Sequence, residues 1–153
     1  MKDLFTDISN TPAFIQISAG LVIIQDNKIL LEHPTGAKWK GTYGIPKGLM
    51  EMDETIMEAA IRETEEELGI KIDSKDLVFK MDNYDNPYAI NYSNNDIIYK
   101  KIFYFLYKPS EPLVIDLSKL QKSEVDWAGF LTKEEAESKI FWRQKEVLNY
   151  LKY

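Results

Sequence analysis

The chain has 153 residues, 44% of them hydrophobic, enough for one domain with its own core and too apolar for an intrinsically disordered chain. The formal net charge is −6 and the pI about 4.9, so open-ended binding of DNA, which rests on neutralising phosphates, is not expected. Cysteine is absent, which excludes disulfides and Cys-ligated zinc.

Met1 to Thr11 carries acids and no long apolar stretch, so no signal peptide is read there. No apolar run reaches the roughly 18 residues of a membrane span, and a cytoplasmic location without membrane partners is expected. In chain order, Ile17 to Ile24 reads as a strand, Asp26-Asn27 as a turn, and Lys28 to Glu32 as the second arm of a hairpin. Pro34 to Lys47 is a loop rich in Gly, Lys and aromatics, ending in a short strand near Tyr43 to Ile45. Thr55 to Leu68 is helical, with Gly69 as its stop. Leu77 to Met81 and Ile97 to Tyr107 read as strands, and Asp82 to Asn95 as a long loop or irregular hairpin. Val125 to Leu131 is a last strand. Thr132 and Glu135 make a capping box for a helix near Lys133 to Ile140, and a second helix is expected near Arg143 to Lys152. Strands interleaved with few helices give an α/β or α+β class, and residues 1–153 read as a single domain.

Chemistry concentrates between Gly48 and Ile70. The helix there carries Glu58, Glu63, Glu65, Glu66 and Glu67. At 100° per residue, Glu63, Glu66 and Glu67 fall within an arc of about 100°. Their i,i+3 and i,i+4 spacing makes them neighbours, and like charges so placed cost a few tenths of a kcal/mol per pair. An acidic run on a helix is ordinarily a solvated face. A hard divalent cation would remove the repulsion, since Mg²⁺ takes oxygen ligands and leaves room for phosphate and water.

The whole segment resembles the Nudix box, the signature of the Nudix hydrolases. Gly48 is followed after five residues by Glu54 and after seven more by Arg62-Glu63; then come Thr64, Glu65, Glu66-Glu67, Leu68, Gly69 and Ile70. Every fixed position matches, and Thr64 stands where the pattern prefers a bulkier apolar residue. Ala19 to Ile24, Leu30 to Pro34, Tyr43 to Gly48 and Ser123 to Leu131 also resemble the family's strands around the box, so the likeness covers about Ala19 to Leu151. It is weakest from Asp73 to Pro112. The fold implied is the Nudix α/β/α sandwich with a mixed central sheet.

The resemblance implies roles. Glu63, Glu66 and Glu67 match metal-binding glutamates and the Lys47 carbonyl matches a main-chain ligand, with Mg²⁺ as the ion and Mn²⁺ as a possible substitute. Glu54 and Arg62 match a pair that ties loop to helix, while Gly48 and Gly69 are structural. Glu63 and Glu124 are the two candidates for the base, each also a potential ligand. Glu58 and Glu65 match no fixed position and are expected to be solvated. Lys47 leads the phosphate-contact candidates, ahead of Lys40 and Lys38. Tyr43, Tyr84, Tyr88, Tyr92 and Trp39 are candidates to stack on a base, although aromatics also fill cores. His33 reads as a structural residue, and Phe141 and Trp142 as core.

The implied activity is hydrolysis of a diphosphate linkage in a nucleoside diphosphate derivative. The Pro46-Lys47-Gly48 step resembles members acting on dinucleoside polyphosphates, diphosphoinositol polyphosphates and RNA 5′ ends, with a dinucleoside polyphosphate foremost. A nucleoside triphosphate, ADP-ribose or an RNA 5′ end are alternatives within the class, the acidic chain disfavouring RNA. A non-catalytic nucleotide-sensing module is the alternative outside it.

Overall fold

The computed structural model describes residues 14–82, 88–91 and 97–153. Asp26 and Asn27 adopt φ of 53° and 56°, the left-handed pair that a tight hairpin demands, and they fold β1 (Phe14–Gln25) onto β2 (Lys28–Pro34). Among the described residues, seven strands form one sheet. The strand β3 (Lys47–Leu49) pairs with β1, β4 (Leu77–Asp82) and β5 (Tyr88–Asn91) pair with β6 (Ile97–Tyr107), and β7 (Val125–Leu131) pairs with β2. The main path runs β4-β6-β1-β2-β7, and β1 with β6 is parallel while the other pairings are antiparallel. The sheet is therefore mixed.

Alternation along the strands builds two cores. Ala19, Leu21 and Ile23 of β1, Leu30 of β2, and Phe105 and Tyr107 of β6 pack against α1 (Ile56–Leu68) through Ala59, Ala60 and Leu68. Val22, Ile29, Leu31, Tyr104 and Leu106 face the other way. They meet Ala136 of α2 (Lys133–Glu137) and Val147 and Leu148 of a 3₁₀ segment (Trp142–Tyr150). Helical elements thus cover both sheet faces. No helix among the described residues is long and apolar enough to cross a membrane.

Three expectations are corrected. Tyr43 to Ile45 forms isolated bridges, Glu32 to Gly44 and Tyr43 to Ile140, and the regular strand comes later at Lys47–Leu49, where β1 offers a free edge. The first terminal helix ends at Glu137. The second is 3₁₀, because tertiary hydrogen bonds dictate its path: Phe141 N–H donates to Tyr43 (2.8 Å), and the Gln144 side chain accepts from Ile45 N–H (2.9 Å). Of the expected loop or irregular hairpin from Asp82 to Asn95, Tyr88–Asn91 is a strand antiparallel to β6, in line with the hairpin alternative, while 83–87 and 92–95 lie outside the described residues.

Candidate active site

Helix α1 is fixed at both ends. Thr55 and Glu58 form a reciprocal capping box, each side chain bonding the other's backbone N–H. Gly69 closes the helix at φ 64°, where a Cβ would stand 2.5 Å from the Lys119 carbonyl oxygen. Between the ends, Arg62 is the hub. Its Nε donates to Glu54 (2.6 Å) and its Nη2 to Glu54 (3.0 Å) and to the Leu49 carbonyl (3.0 Å). Its Nη1 reaches Glu63 (3.0 Å) and Glu66 (3.3 Å). The planar guanidinium suits this fork-like pairing. Hydrogen bonding to Arg62 holds the Glu54 carboxyl below the usual carboxylate range, and the same bonds push the guanidinium further up. A Cβ at Gly48 would lie 2.0 Å from Cδ of Glu63, so a larger residue there would push this side chain out of the position Arg62 gives it.

Glu67 behaves differently from its neighbours. Glu66 is half exposed, whereas Glu67 is 7% exposed and turned toward the sheet. There it meets Glu32 of β2, itself only 8% exposed, and the two carboxyl groups lie within hydrogen-bonding range. Burial raises the Glu67 carboxyl, and the Glu32 carboxyl raises it further; burial likewise raises Glu32, against which the hydrogen bond with Glu67 and then Lys47 act, and Lys47 also draws Glu67 down. The Glu67 carbonyl accepts from Gln121 N–H (2.9 Å), which anchors the turn carrying Glu124. Glu124 is near enough to raise the Glu32 carboxyl a little more.

These groups open onto a cavity of about 260 Å³. Glu32, Lys47, Glu67 and Glu124 supply its charged lining on one part; Ile45, Ile102, Tyr104 and Phe141 supply apolar surface, and Thr42, Arg143 and Gln144 a polar edge. The cavity thus brings carboxylates, a lysine and an apolar wall together.

A family model for the NUDIX domain matches residues 15–151. The chain belongs to the Nudix hydrolase family. Over 49 residues it is 43% identical to a protein of Methanocaldococcus jannaschii named ADP-ribose pyrophosphatase, a stretch covering 32% of this chain and 29% of that relative. The Nudix fold is shared with a MutT NUDIX hydrolase from Burkholderia pseudomallei (TM-score 0.58, 22% identity, covering 88% of this chain and 96% of that one). It is also shared with a bifunctional NMN adenylyltransferase/ADP ribose pyrophosphatase from Francisella tularensis complexed with AMP and a Mn ion (TM-score 0.60, 17% identity, 96% and 43%).

Within this Nudix chain, Glu67, Lys47 and Glu124 gather at the cavity, while Glu63 and Glu66 are held by Arg62 on the adjoining helix face. Among the described residues, no three acidic or histidine side chains are close enough to enclose an ion as they stand. Tyr43 does not line the cavity: it is 6% exposed, in the core with Ile140 and Val147 and edge-on to Trp127, because its carbonyl and N–H tie it to Phe141 and Lys139. Lys40 and Lys38 are exposed and also absent from the lining. His33 is fully buried between Asp126 (2.5 Å), the Lys38 carbonyl (2.8 Å) and the stacked Trp39 ring, a structural post. Tyr84 and Tyr92 lie outside the described residues.

Four further expectations change. Phe141 lines the cavity, and Trp142 is 66% exposed beneath Arg143. Glu58 caps α1, and Glu65 accepts from Ile72 N–H (2.9 Å), so neither is merely solvated. Thr64 satisfies its buried hydroxyl on the Ala60 carbonyl (2.8 Å), which is how a polar residue fits an apolar position. Glu32 was not among the sequence candidates. Its signal was there: by the alternation of β2 it shares a face with Leu30, so an acid points into the core.

Proposed function

We propose that this chain hydrolyses a diphosphate linkage in a nucleoside diphosphate derivative, using divalent cations at the Nudix box. The observation that carries the reading is the buried Glu67, set beside Lys47 and Glu32 at the wall of a nucleoside-sized cavity. A buried carboxyl group has to be paired, protonated or bound to metal, and the fully buried Oε2 of Glu32 has no hydrogen-bond partner. The donor set, all carboxylate and carbonyl oxygen, fits Mg²⁺, with Mn²⁺ able to substitute.

Glu63, Glu66, Glu67 and the Lys47 carbonyl would hold the metal, which supplies charge neutralisation at the diphosphate and acidifies water. The chain's own groups do the rest. The Lys47 ammonium places positive charge where the phosphates enter a net-acidic protein. Arg62 keeps Glu63 and Glu66 oriented while Gly48 gives Glu63 room. Glu124, exposed at the cavity and anchored through Gln121, takes the proton from the attacking water on its carboxylate; Glu63 is the other candidate for that proton. Ile45, Ile102, Tyr104 and Phe141 provide an apolar wall for a base.

A dinucleoside polyphosphate is the leading substrate. The Pro46-Lys47-Gly48 step supports it, and a cavity of about 260 Å³ takes one nucleoside while the other half extends into solvent. ADP-ribose is the second reading, supported by the 43% identical stretch shared with the archaeal protein of that name. The test is a panel of diadenosine tetraphosphate, ADP-ribose, nucleoside triphosphates and 5′-triphosphate RNA with Mg²⁺, run on wild type and Glu66→Gln. One compound should be cut at its diphosphate linkage, with the variant slower by orders of magnitude. No cleavage at all would move the nucleotide-sensing reading forward.

A further inference from the structure

Glu32 is an acid built into a place where an acid is costly. Its backbone is clamped to Gly44 from both directions, N–H to carbonyl at 2.8 Å and carbonyl to N–H at 2.9 Å, so the strand cannot swing the side chain outward. Period two points it toward α1 on the Leu30 face, where Glu67 approaches from the helix. Among the described residues, its Oε2 is the one buried side-chain oxygen or nitrogen with no hydrogen-bond partner, and the side chain lines the cavity. A buried acceptor of this kind calls for a donor or a cation.

We infer that Glu32 and Glu67 form a cation-binding pair on the sheet side of the site, taking a divalent ion whose other ligands are substrate phosphates and water. The inference rests on the hydrolase reading above and adds to it a ligand from outside the box. Arg62 hydrogen-bonds Glu63 and Glu66 but neither Glu67 nor Glu32, although Glu63 is close enough to act on both carboxyls of the pair. The helix face and the sheet face are thus two carboxylate positions on one helix turn. That only two carboxylates meet here suits Mg²⁺, which is commonly held by one or two carboxylates and completes its shell with phosphate and water. Glu124 lines the same cavity and stands ready on the solvent side.

The test is Mn²⁺ binding by the intact protein, read by electron paramagnetic resonance of free ion, on wild type, Glu32→Gln and Glu66→Gln. Glu32→Gln should lose one bound ion or bind its weakest-held ion at least tenfold less tightly, with its metal-free melting curve still cooperative. Unchanged stoichiometry and affinity in Glu32→Gln, with wild type binding normally, overturns the pair and leaves the hydrolase reading standing. If wild type itself binds no Mn²⁺, both readings fall. A second measurement does not depend on the variant folding: anomalous scattering from Mn²⁺-soaked wild-type crystals. A peak about 2.1 Å from a Glu32 oxygen is expected for a hard divalent ion in this oxygen set. Peaks confined to Glu63 and Glu66, or a substrate donor bonded to Glu32 in their place, overturn it.

Discussion

At the residue scale, the surprise is that neighbouring glutamates on one helix turn live in opposite environments. Glu66 is half exposed and paired to Arg62, while Glu67 is buried against Glu32. The box spacing made both legible as acids on one helix face, but spacing carries no information about a partner from β2, and Glu32 is invisible to the motif. The consequence is a pH dependence with a definite sign. Burial, then Glu32, raises the Glu67 carboxyl above its ordinary value of 4.5. Above that ordinary value the native state therefore holds a proton that the unfolded chain has released, and stability falls as pH rises. The metal-free melting temperature should drop from pH 5 to pH 8. Glu67→Gln keeps a donor toward Glu32 and removes the titration, so it should melt higher than wild type at pH 8, with a flatter profile. A wild-type profile with no slope over this range would contradict the buried pair.

At the element scale, strands with alternating or β-branched patterns and the capped helix were legible because local rules decide them. The Asp26-Asn27 hairpin, α1 with Gly69 and the Thr132 capping box all stand where turn and cap chemistry puts them. Segments governed by distant contacts were not legible. Tyr43 to Ile45 and Trp142–Tyr150 are shaped by each other, through Phe141 N–H to Tyr43 and Gln144 to Ile45 N–H, bonds spanning about a hundred residues of chain. The same bonds move Tyr43 into the core and bring Phe141 and Arg143 to the cavity. Gln144→Leu tests that dependence. It leaves the buried Ile45 N–H without its acceptor, at a cost of about 1–3 kcal/mol. Urea denaturation should show the loss as a lower midpoint with an unchanged slope. A loss below about 0.5 kcal/mol, the level of an ordinary surface substitution, would mean the segment is held by its apolar contacts alone.

At the scale of the whole molecule, an acidic chain folds around an acidic centre. The sheet brings Glu32 from β2, Glu67 from α1 and Glu124 from the turn before β7 to one cavity, and Lys47 is the lysine set among them. The native state relieves this crowding with the proton held at Glu67, and the carboxylates that stay ionised repel one another there as they do not in the unfolded chain. A divalent ion bound only by the native arrangement stabilises by mass action, by about 2.7 kcal/mol at a hundredfold excess over Kd. For a domain of this length that corresponds to a rise in melting temperature of about 5–10 °C. Screening alone would also relieve repulsion, but it acts equally for any salt of the same ionic strength. Millimolar Mg²⁺ should therefore raise the melting temperature well beyond NaCl matched in ionic strength, and Glu67→Gln should lose most of that difference. Equal shifts in the two salts would mean that the carboxylates are merely screened, and the metal reading of the box would fail with them.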